Sequence, residues 1–334
     1  MNKPFLIAEI GQAHDGSLDI LHKYIDAVST TGVDAIKFQT HIADAESSIH
    51  EPFRIKFSKQ DKTRFDYWKR MEFSVDDWIA IGKHCKEVGL IFISSPFSNQ
   101  AVDVLEKAKV EQYKIGSGEV TNFLLLKKVV DTGKPIIISS GMSSFDELNK
   151  TVAFLKSYNA NFSILQCTTS YPTQPENYGF NVISELKRRY SVDVGFSDHS
   201  AKIATGIAAI ALGAKILEFH VVFDRTQFGP DVTSSLTIEE AAVLVDSVSP
   251  ISRALVHPVD KSDNSNFTEL KQIFEKTLAV NKDLKQGHTV GFDDLEAKKP
   301  KGYGIDASNY KSILGKKLAK DLKQWDFLTE NDIH

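Results

Sequence analysis

Two histidines stand at the ends of consecutive apolar segments. His199 falls near the end of the segment 192–200, and His220 lies within the segment 214–223, twenty-one residues further along. If these segments are neighbouring parallel strands, about 4.8 Å apart, the two imidazoles can converge on one point. Imidazole nitrogens bind Mn, Fe, Co or Zn, with water and substrate oxygens completing the coordination. The pair therefore predicts a divalent metal site, with a hydrogen-bonding role in the core as the alternative for each histidine.

Polar residues also lie at or near the ends of the other apolar segments. Lysine ammonium groups neutralise carboxylate or phosphate, and serine hydroxyls donate hydrogen bonds to the same oxygens. If these groups converge on one pocket, they predict an anionic, phosphorylated ligand. A buried ion pair with Glu9 or Glu119 is the alternative for each lysine. The residues at these ends are Glu9, Lys37, Gln39, Ser95, Lys114, Ser117, Glu119, Ser139, Thr169, Tyr171, Ser197 and Asp198.

Strand-like and helix-like segments must bring these residues together. Eight short apolar segments alternate with amphipathic segments over about 250 residues, which predicts a (β/α)8 TIM barrel with the strand C-terminal ends at one mouth. A doubly wound open sheet is the alternative, and it is disfavoured because no G-x-G-x-x-G follows the first strand. The predicted strands span 5–11, 34–41, 90–97, 112–119, 135–142, 162–172, 192–200 and 214–223. Helix-like segments include 17–32, 74–89, 144–158 and 237–255.

The last part of the chain does not continue this alternation. We predict a barrel domain over 1–256, a polar, proline-containing linker over 257–272, and a small second domain over 273–334. The second domain is rich in lysine and in turn residues and contains no further β–α repeat.

Composition excludes several classes of protein. Of the 334 residues, 42% are hydrophobic and 25% charged, as in ordinary globular proteins, and the net charge of −4 gives no reason to expect nucleic-acid binding. No apolar run approaches the roughly 20 residues of a membrane span. The N-terminus shows no secretory signal pattern. Cys85 and Cys167 are too few for a disulfide framework, so we expect two reduced thiols in a cytoplasmic protein.

Seven short motifs occur in a characteristic order. They are "AEIGQAHDGS", "IKFQTH", "ISSPFS", "YKIGSGE", "ISSGMS", "GFSDHS" and "LEFH" followed by "GPD". Together they resemble the N-acetylneuraminate (sialic acid) synthase family of phosphoenolpyruvate-dependent nonulosonic acid synthases. The tail, "KTLAVNKDLKQGHTVGFDDLEAKKPKGYGI", resembles the antifreeze-like SAF domain that ends these enzymes. The resemblance extends over essentially the whole chain.

The resemblance implies a TIM barrel with a C-terminal cap, in a domain-swapped homodimer where the cap of one subunit leans over the mouth of the other. It implies condensation of phosphoenolpyruvate with a hexosamine aldehyde and release of phosphate. His199 and His220 match the metal ligands, with Mn²⁺ the expected ion and Mg²⁺ or Co²⁺ as alternatives. Residues matching the phosphoenolpyruvate site are Lys37, Lys114, Ser117, Ser139 and Ser197. Positions facing the sugar are Glu9, Gln39, Tyr171 and Asp231, and Glu119 matches an acid/base glutamate.

The chain departs from the family pattern near the acceptor sugar. Thr169 replaces an asparagine, Ser95 stands in a slightly altered strand-three motif, and Lys299 before Pro300 takes the place of the cap arginine. A lysine cannot reproduce the bidentate fork of arginine. The segment 51–72 also lacks the expected acceptor-loop pattern, so its basic residues either form a solvated loop face or select the substrate.

Three questions stay open at this level. The acceptor is N-acetylmannosamine, giving sialic acid, or a 2,4-diacetamido-6-deoxyhexose, giving legionaminic or pseudaminic acid. A rival enzyme would use Lys37 or Lys114 as the Schiff-base nucleophile of an aldolase. A rival of another class is a non-catalytic carbohydrate-binding protein whose SAF-like tail does the binding.

Overall fold

The structure, a computed structural model, describes residues 3–53, 58 and 60–334. The chain divides into two compact units, Met1–His257 and Pro258–His334. None of the described helices is both long enough and apolar enough to cross a membrane.

Eight parallel strands close into a barrel in the first unit. Each strand pairs in parallel with the next along the chain, and the eighth pairs with the first. A ninth, short strand runs parallel to the C-terminal end of the eighth. The predicted (β/α)8 barrel is confirmed. The strands are β1 (Phe5–Glu9), β2 (Ala35–Thr40), β3 (Ile91–Pro96), β4 (Gln112–Ile115), β5 (Ile136–Ser139), β6 (Phe162–Cys167), β7 (Val194–Asp198), β8 (Ile216–Val222) and β9 (Ser235–Thr237).

Helices cover the outside of the barrel. Serines at positions 17, 74 and 144 cap three of them, each accepting a hydrogen bond from a backbone N–H of the first turn, which is typically worth about 1 kcal/mol. The apolar helix faces pack on the outward side chains of the strands and form the main core. The helices are α1 (Leu18–Ser29), α2 (Ala43–Glu46), α3 (Arg64–Met71), α4 (Val75–Glu87), α5 (Asn99–Lys107), α6 (Phe123–Val130), α7 (Phe145–Ser157), α8 (Phe180–Tyr190), α9 (Ile203–Ala211) and α10 (Ile238–Val256).

Side chains that point into the barrel form layers along its axis, because alternate residues of a strand face the same side. An apolar layer, here called the apolar floor, fills the lower part of the interior; it consists of Ile7, Ala35, Ile93, Ile137, Leu165 and Ile216. Lys37 pairs in register with Ile93, and Lys114 pairs with Ile137. The two lysines therefore lie deep in the barrel, directly above the floor.

The connection between β2 and α4 contains α2 and α3 and has a small apolar cluster of its own, formed by Ala43, Tyr67, Trp68 and Met71. Arg70 fixes α3 in place, since its guanidinium donates to Asp61 at 2.8 Å and to Asp15 at 2.7 Å. The part of segment 51–72 that forms α3 is therefore packed against the protein and is not a solvated loop face. Arg54, Lys56 and Lys59 of that segment lie outside the described residues.

The second unit has its own core around a two-stranded antiparallel sheet, β10 (Thr277–Val280) with β11 (Leu295–Lys298). Ten buried apolar side chains form this core; they are Leu278, Val280, Leu284, Val290, Ile305, Ile313, Leu318, Leu322, Leu328 and Ile333. The unit begins at Pro258 and includes a helix, α11 (Thr268–Phe274), within the region that the sequence predicts as linker and domain start. Its assignment as an SAF domain remains a prediction.

Candidate active site

A cavity of about 310 Å³ opens at the C-terminal ends of the barrel strands. All of the predicted site residues except Glu119, Asp198 and Lys299 line it. They are Glu9, Lys37, Gln39, Ser95, Lys114, Ser117, Ser139, Thr169, Tyr171, Ser197, His199, His220 and Asp231. Strand ends far apart in the sequence thus deliver these side chains to one place, as the barrel requires.

Two lysines and two glutamates form an ionic network at the base of this cavity. Lys114 Nζ lies 2.5 and 2.6 Å from the two carboxylate oxygens of Glu218. Lys37 Nζ pairs with Glu9 and lies 3.7 Å from Glu218 Oε1. No member of the network has more than 5% of its side chain exposed. Buried ion pairs, the alternative role predicted for the two lysines, are therefore present. Glu9 pairs with Lys37 as predicted, and Glu218 contacts both lysines. Glu119 is not part of the described network.

Burial and mutual attraction act against each other in this network. Burial opposes the charge of Glu218, but Lys114 and Lys37 outweigh it and hold the pKa of Glu218 at about 2. Burial likewise opposes the charge of Lys37, and Glu218 with Glu9 raises its pKa above the usual value. The pKa of Lys114 is lowered because burial, joined by repulsion from Lys37, exceeds the attraction of Glu218. Glu218 contacts both ammonium groups and Glu9 pairs with Lys37, so an anion entering the cavity would compete with these two carboxylates for the ammonium donors.

Serine hydroxyls surround the network. Ser197 Oγ donates to Glu218 Oε1 at 3.0 Å. A Cβ at Gly141 would come within 2.6 Å of Ser117 Oγ and 2.5 Å of Thr169 Oγ1, so only glycine lets this loop approach the two hydroxyls closely. The hydroxyls and ammonium groups together make a donor-rich pocket that suits carboxylate and phosphate oxygens.

The two histidines lie near one another at the upper part of the cavity, with ring centroids 5.4 Å apart. His199 follows the last residue of β7 and stacks on Tyr171 at 4.2 Å. Its Nδ1 donates to the Thr168 carbonyl at 3.0 Å, so Nε2 carries the lone pair. His220 Nδ1 is buried and has no hydrogen-bond partner among the described residues. Burial lowers the pKa of both imidazoles and favours the neutral form that binds metals.

The donor set fits a metal ion that takes only part of its coordination from protein. Within the described ranges there is no group of three or more His, Cys, Asp or Glu side chains placed to hold a metal. Two neutral imidazoles, one of them with an orphaned buried nitrogen, leave the remaining positions for oxygen ligands from substrate and water.

A chain of hydrogen bonds fixes the wall next to β1 and β2. Gln39 Nε2 donates to Glu9 Oε1 at 2.8 Å, and Gln39 Oε1 accepts from Gln12 Nε2 at 2.8 Å. The second N–H of Gln12 points to His41 Nε2 at 3.0 Å, while His41 Nδ1 lies 2.6 Å from Glu46 Oε1. Because Gln12 donates to His41 Nε2, the proton of the neutral His41 ring lies on Nδ1, facing Glu46. Gln12 Oε1 is buried without a hydrogen-bond partner among the described residues.

A side chamber of about 300 Å³ adjoins the main cavity and shares four lining residues with it, namely Gln39, Arg64, Trp68 and Phe97. Its other walls are His41, Glu46, Glu51 and Glu119. Glu119 thus lines the chamber and not the main cavity, contrary to the prediction that it lies with the strand-end residues. Its carboxylate accepts from Asn122 Nδ2 at 2.7 Å, and burial raises its pKa.

Lys299 belongs to the second unit. Its Nζ lies 4.9 Å from the centre of the Phe274 ring, a cation–π contact within that unit.

Sequence reasoning missed several residues of the cavity, above all Glu218. A signal for it was present: Glu218 is charged, lies in a strand whose seven residues are all buried, and precedes His220 by two positions, so both face the barrel interior. Gln12, Trp68, Met142 and Cys167 were also missed. Arg64, which also lines the cavity, belongs to the segment 51–72, for whose basic residues a substrate-selecting role was one of the two alternatives. Burial raises the pKa of the Cys167 thiol to about 11, so it is a neutral wall residue rather than a nucleophile.

The mouth of this parallel (β/α)8 barrel combines buried lysines, serines and a histidine pair, an arrangement that suits an enzyme with an anionic substrate. The sequence profile of the NeuB family matches residues 24–260, and the chain belongs to that family. The predicted resemblance, and the prediction of an enzyme rather than a non-catalytic binding protein, are confirmed.

Three similar proteins illustrate the family. The N-acetylneuraminate-9-phosphate synthase of Homo sapiens is 35% identical over 332 residues, covering 98% of this chain and 91% of that protein. The N,N'-diacetyllegionaminic acid synthase of Campylobacter jejuni is 31% identical over 336 residues, covering 99% and 100%. The crystal structure of an N-acetylneuraminic acid synthetase from Leptospira borgpetersenii superposes with a TM-score of 0.71 at 29% identity, covering 80% of this chain and 90% of that one.

Proposed function

We propose that this enzyme condenses phosphoenolpyruvate with an N-acetylated hexosamine and water to form a nonulosonic acid and phosphate. The acceptor is N-acetylmannosamine or a 2,4-diacetamido-6-deoxyhexose. The observation that carries the proposal is the deep pair of lysines sharing Glu218, ringed by serines and placed below the histidine pair. This arrangement suits a small substrate with two anionic groups lying beneath an electrophile.

The lysines and serines bind and orient phosphoenolpyruvate. Lys114 and Ser197 neutralise the phosphoryl oxygens, and Lys37 holds the carboxylate. C3 of phosphoenolpyruvate forms a bond to the aldehyde carbon of the open-chain sugar, water adds at C2, and phosphate leaves with cleavage of its C–O bond. The rate enhancement comes from holding two substrates in attack geometry and from fixed positive charge.

His199 and His220 are the residues that would hold the metal, with Mn²⁺ the expected ion. A divalent ion held by them would supply Lewis-acid polarisation of an aldehyde carbonyl. Glu9, Gln39, Tyr171 and Asp231 orient the sugar; the hydrogen-bond chain through Gln12 supports this role for Glu9 and Gln39.

Glu119 is our candidate for moving a proton to or from water or the sugar. Its raised pKa keeps the carboxyl protonated to a higher pH than an ordinary glutamate, as a general acid requires. Its neighbours Ser117 and Gly118 line the main cavity, which places the carboxyl at the border of the two spaces. Glu9 and Asp231, which line the main cavity itself, are the other catalytic candidates.

The ion pairs argue against a Schiff-base aldolase. A nucleophilic lysine must lose its proton, whereas Glu218 and Glu9 raise the pKa of Lys37. Burial lowers the pKa of Lys114, so for this lysine the argument rests on its two contacts to the ionised carboxylate of Glu218. Borohydride trapping of a covalent substrate adduct on either lysine would establish the aldolase instead.

Phosphate release tests the proposed function. We expect release that depends on both phosphoenolpyruvate and an acetamido sugar when N-acetylmannosamine and 2,4-diacetamido-6-deoxyhexoses are supplied in turn. Mass spectrometry should show a nine-carbon keto acid. No release with any sugar of the panel, by folded enzyme supplied with Mn²⁺, would reject the function.

We further propose that the second unit acts as a cap in a domain-swapped homodimer, with Lys299 reaching the acceptor pocket of the neighbouring subunit. The resemblance to the family supports this, and the separate cores of the two units support the expectation that each folds independently. Deleting 258–334 should leave a folded, metal-binding barrel whose acceptor KM rises more than its phosphoenolpyruvate KM.

Mixed dimers test the swap directly. Subunits carrying His199→Ala are mixed and re-associated with subunits carrying Lys299→Ala. If each cap serves the barrel of the other subunit, one site of every heterodimer carries both substitutions and the other site carries neither. Activity should therefore exceed that of either parent. If each cap serves its own barrel, every site carries one lesion, and proven heterodimers without recovery would reject the swap.

A further inference from the structure

A buried amide oxygen beside the main cavity has no assigned role. Gln12 follows β1, is 4% exposed and lines the main cavity. Its side-chain Oε1 has no hydrogen-bond partner among the described residues. About nine in ten buried polar groups in proteins are paired, because an unpaired group keeps the full cost of its lost hydration. An orphaned oxygen beside a substrate cavity therefore points to a donor that arrives with a ligand.

The orientation of the Gln12 amide follows from the residues on its other side. Glu9 pairs with Lys37, and its carboxylate oxygens accept hydrogen bonds. Gln39 must then turn its NH2 group toward Glu9, at 2.8 Å, which leaves the Gln39 oxygen facing Gln12. Gln12 in turn must present its own NH2 group, 2.8 Å from that oxygen. Its Oε1 therefore points away from Gln39, since turning the amide over would set oxygen against oxygen.

His41 engages the second N–H of Gln12. Its Nε2 accepts from Gln12 Nε2 at 3.0 Å, while its Nδ1 donates to Glu46 at 2.6 Å. The His41 ring is buried and stacks between the rings of Trp68 and Phe97, with centroids at 3.9 and 4.4 Å. Because both of its N–H groups are engaged and packing immobilises the imidazole, the Gln12 amide is preorganised to accept one further hydrogen bond.

The chemistry of the two substrates decides which of them supplies the donor. Phosphoenolpyruvate carries carboxylate and phosphate oxygens, which accept hydrogen bonds, whereas an acetamido sugar carries hydroxyls and an amide N–H. The backbone next to Gln12 also adjoins a residue proposed to face the sugar, because a Cβ at Gly11 would lie 3.5 Å from Asp231 Oδ2. The competing donor is a single water, since Gln12 also lines a separate void of about 10 Å³.

We propose that Gln12 is a further sugar-binding residue, whose Oε1 accepts a hydrogen bond from a hydroxyl or from the acetamido N–H of the sugar, and that His41 is its positioning residue. The inference rests on the proposed function and adds one contact to the sugar site. Gln12 recognises a donor on the sugar, and His41 acts only through the orientation of the Gln12 amide.

The test pairs a Gln12 variant with sugars that lack one donor each. Gln12→Met removes both amide groups at nearly constant length. With the best sugar of the phosphate-release panel, kcat/KM for the sugar should fall about tenfold, the loss of one hydrogen bond, while the KM for phosphoenolpyruvate stays within twofold. The same measurement is made with the monodeoxy analogues of that sugar and with its N-methylated acetamide. The analogue that lacks the recognised donor should be used equally poorly by native enzyme and by Gln12→Met, because the two losses are then the same loss.

His41→Phe tests the positioning role, since it keeps a ring between Trp68 and Phe97 but removes the nitrogen that accepts from Gln12. It should lower kcat/KM about threefold for every sugar except the same analogue. Gln166→Met is the matched control. Gln166 is 6% exposed and does not line the main cavity, and its amide is fully paired with two backbone carbonyls and the Ser140 hydroxyl. Its loss should show no such dependence on the sugar.

Thermal melting of each variant separates lost recognition from lost folding. A folded Gln12→Met enzyme with native kcat/KM would assign the oxygen to a water in the small void. An equal loss with every analogue would make Gln12 a structural residue only. Either result would overturn the inference. Absence of turnover by native enzyme with every sugar would instead count against the proposed function. Calorimetric binding of the sugars to native and Gln12→Met enzymes would still decide whether Gln12 contacts a sugar.

Discussion

Removing divalent metal with EDTA should abolish turnover, and Mn²⁺ should restore it. No protein group lining the cavity polarises an aldehyde oxygen as strongly as a divalent ion does. His199→Ala and His220→Ala should each lose both bound metal, measured by inductively coupled plasma mass spectrometry, and at least a thousandfold in kcat, since one lost donor leaves a single imidazole. The fold should persist because both side chains lie at the mouth, above the apolar floor.

A second histidine pair provides the control. His22 on α1 and His84 on α4 approach with their Nδ1 atoms 2.7 Å apart, outside the barrel mouth. The double variant His22→Ala, His84→Ala should keep full activity and the same Mn²⁺ requirement. Full activity of native enzyme in excess EDTA, with metal content shown to be negligible, would contradict the two-histidine site.

Lys114→Met should raise the KM for phosphoenolpyruvate and lower kcat together. Removing one partner of a desolvated charge contact typically costs about 2–5 kcal/mol, corresponding to roughly thirtyfold to several thousandfold in kcat/KM. The acceptor KM should change far less. Lys134→Met is the control, because Lys134 also pairs with a carboxylate, Glu106 at 2.6 Å, but precedes β5 at the opposite end of the barrel.

Glu218→Gln separates the role of Glu218 from that of its partner Lys114. Without Glu218, nothing comparable opposes the effects of burial and Lys37, so the already lowered pKa of Lys114 should fall further. The ammonium is then lost at lower pH, and the basic limb of kcat/KM for phosphoenolpyruvate should move to lower pH. A merely structural glutamate would lower activity at all pH values equally.

For the Lys114→Met variant, an unchanged phosphoenolpyruvate KM would place Lys114 outside the site.

The barrel was predictable because its signals are local and repeated. The eight buried strands read as mainly apolar segments, and serines before three of the helices mark their N-termini. Strand ends were less certain. Gly116–Glu119 reads as a continuation of β4, whereas the strand stops at Ile115 and a short 3₁₀ turn follows, which carries Glu119 away from the lysines to the chamber.

Partners across the barrel could not be read from the chain. Lys114 and Glu218 are 104 positions apart, and their contact depends on the stagger of β4 against β8 in a closed sheet. The side chamber depends on α3, which supplies the buried Trp68 and Arg64, the partner of Glu51. From the sequence, the basic residues of this segment could form either a solvated loop face or a substrate-selecting surface. Long-range pairing and the packing of an insertion are set by tertiary geometry, which periodicity does not encode.

The apolar floor has a kinetic consequence. It closes the barrel beneath Lys37 and Lys114, so the lysines are reached only through the space that the acceptor later fills. If Lys37 and Lys114 bind phosphoenolpyruvate, as proposed, this substrate must bind first, in a compulsory order. An unreactive acceptor analogue such as the sugar alcohol should inhibit competitively against the acceptor and uncompetitively against phosphoenolpyruvate, whereas a noncompetitive pattern against phosphoenolpyruvate would indicate random entry. In such a sequence the acceptor would meet only enzyme that already holds phosphoenolpyruvate, and its aldehyde would not be exposed to a lysine without bound substrate.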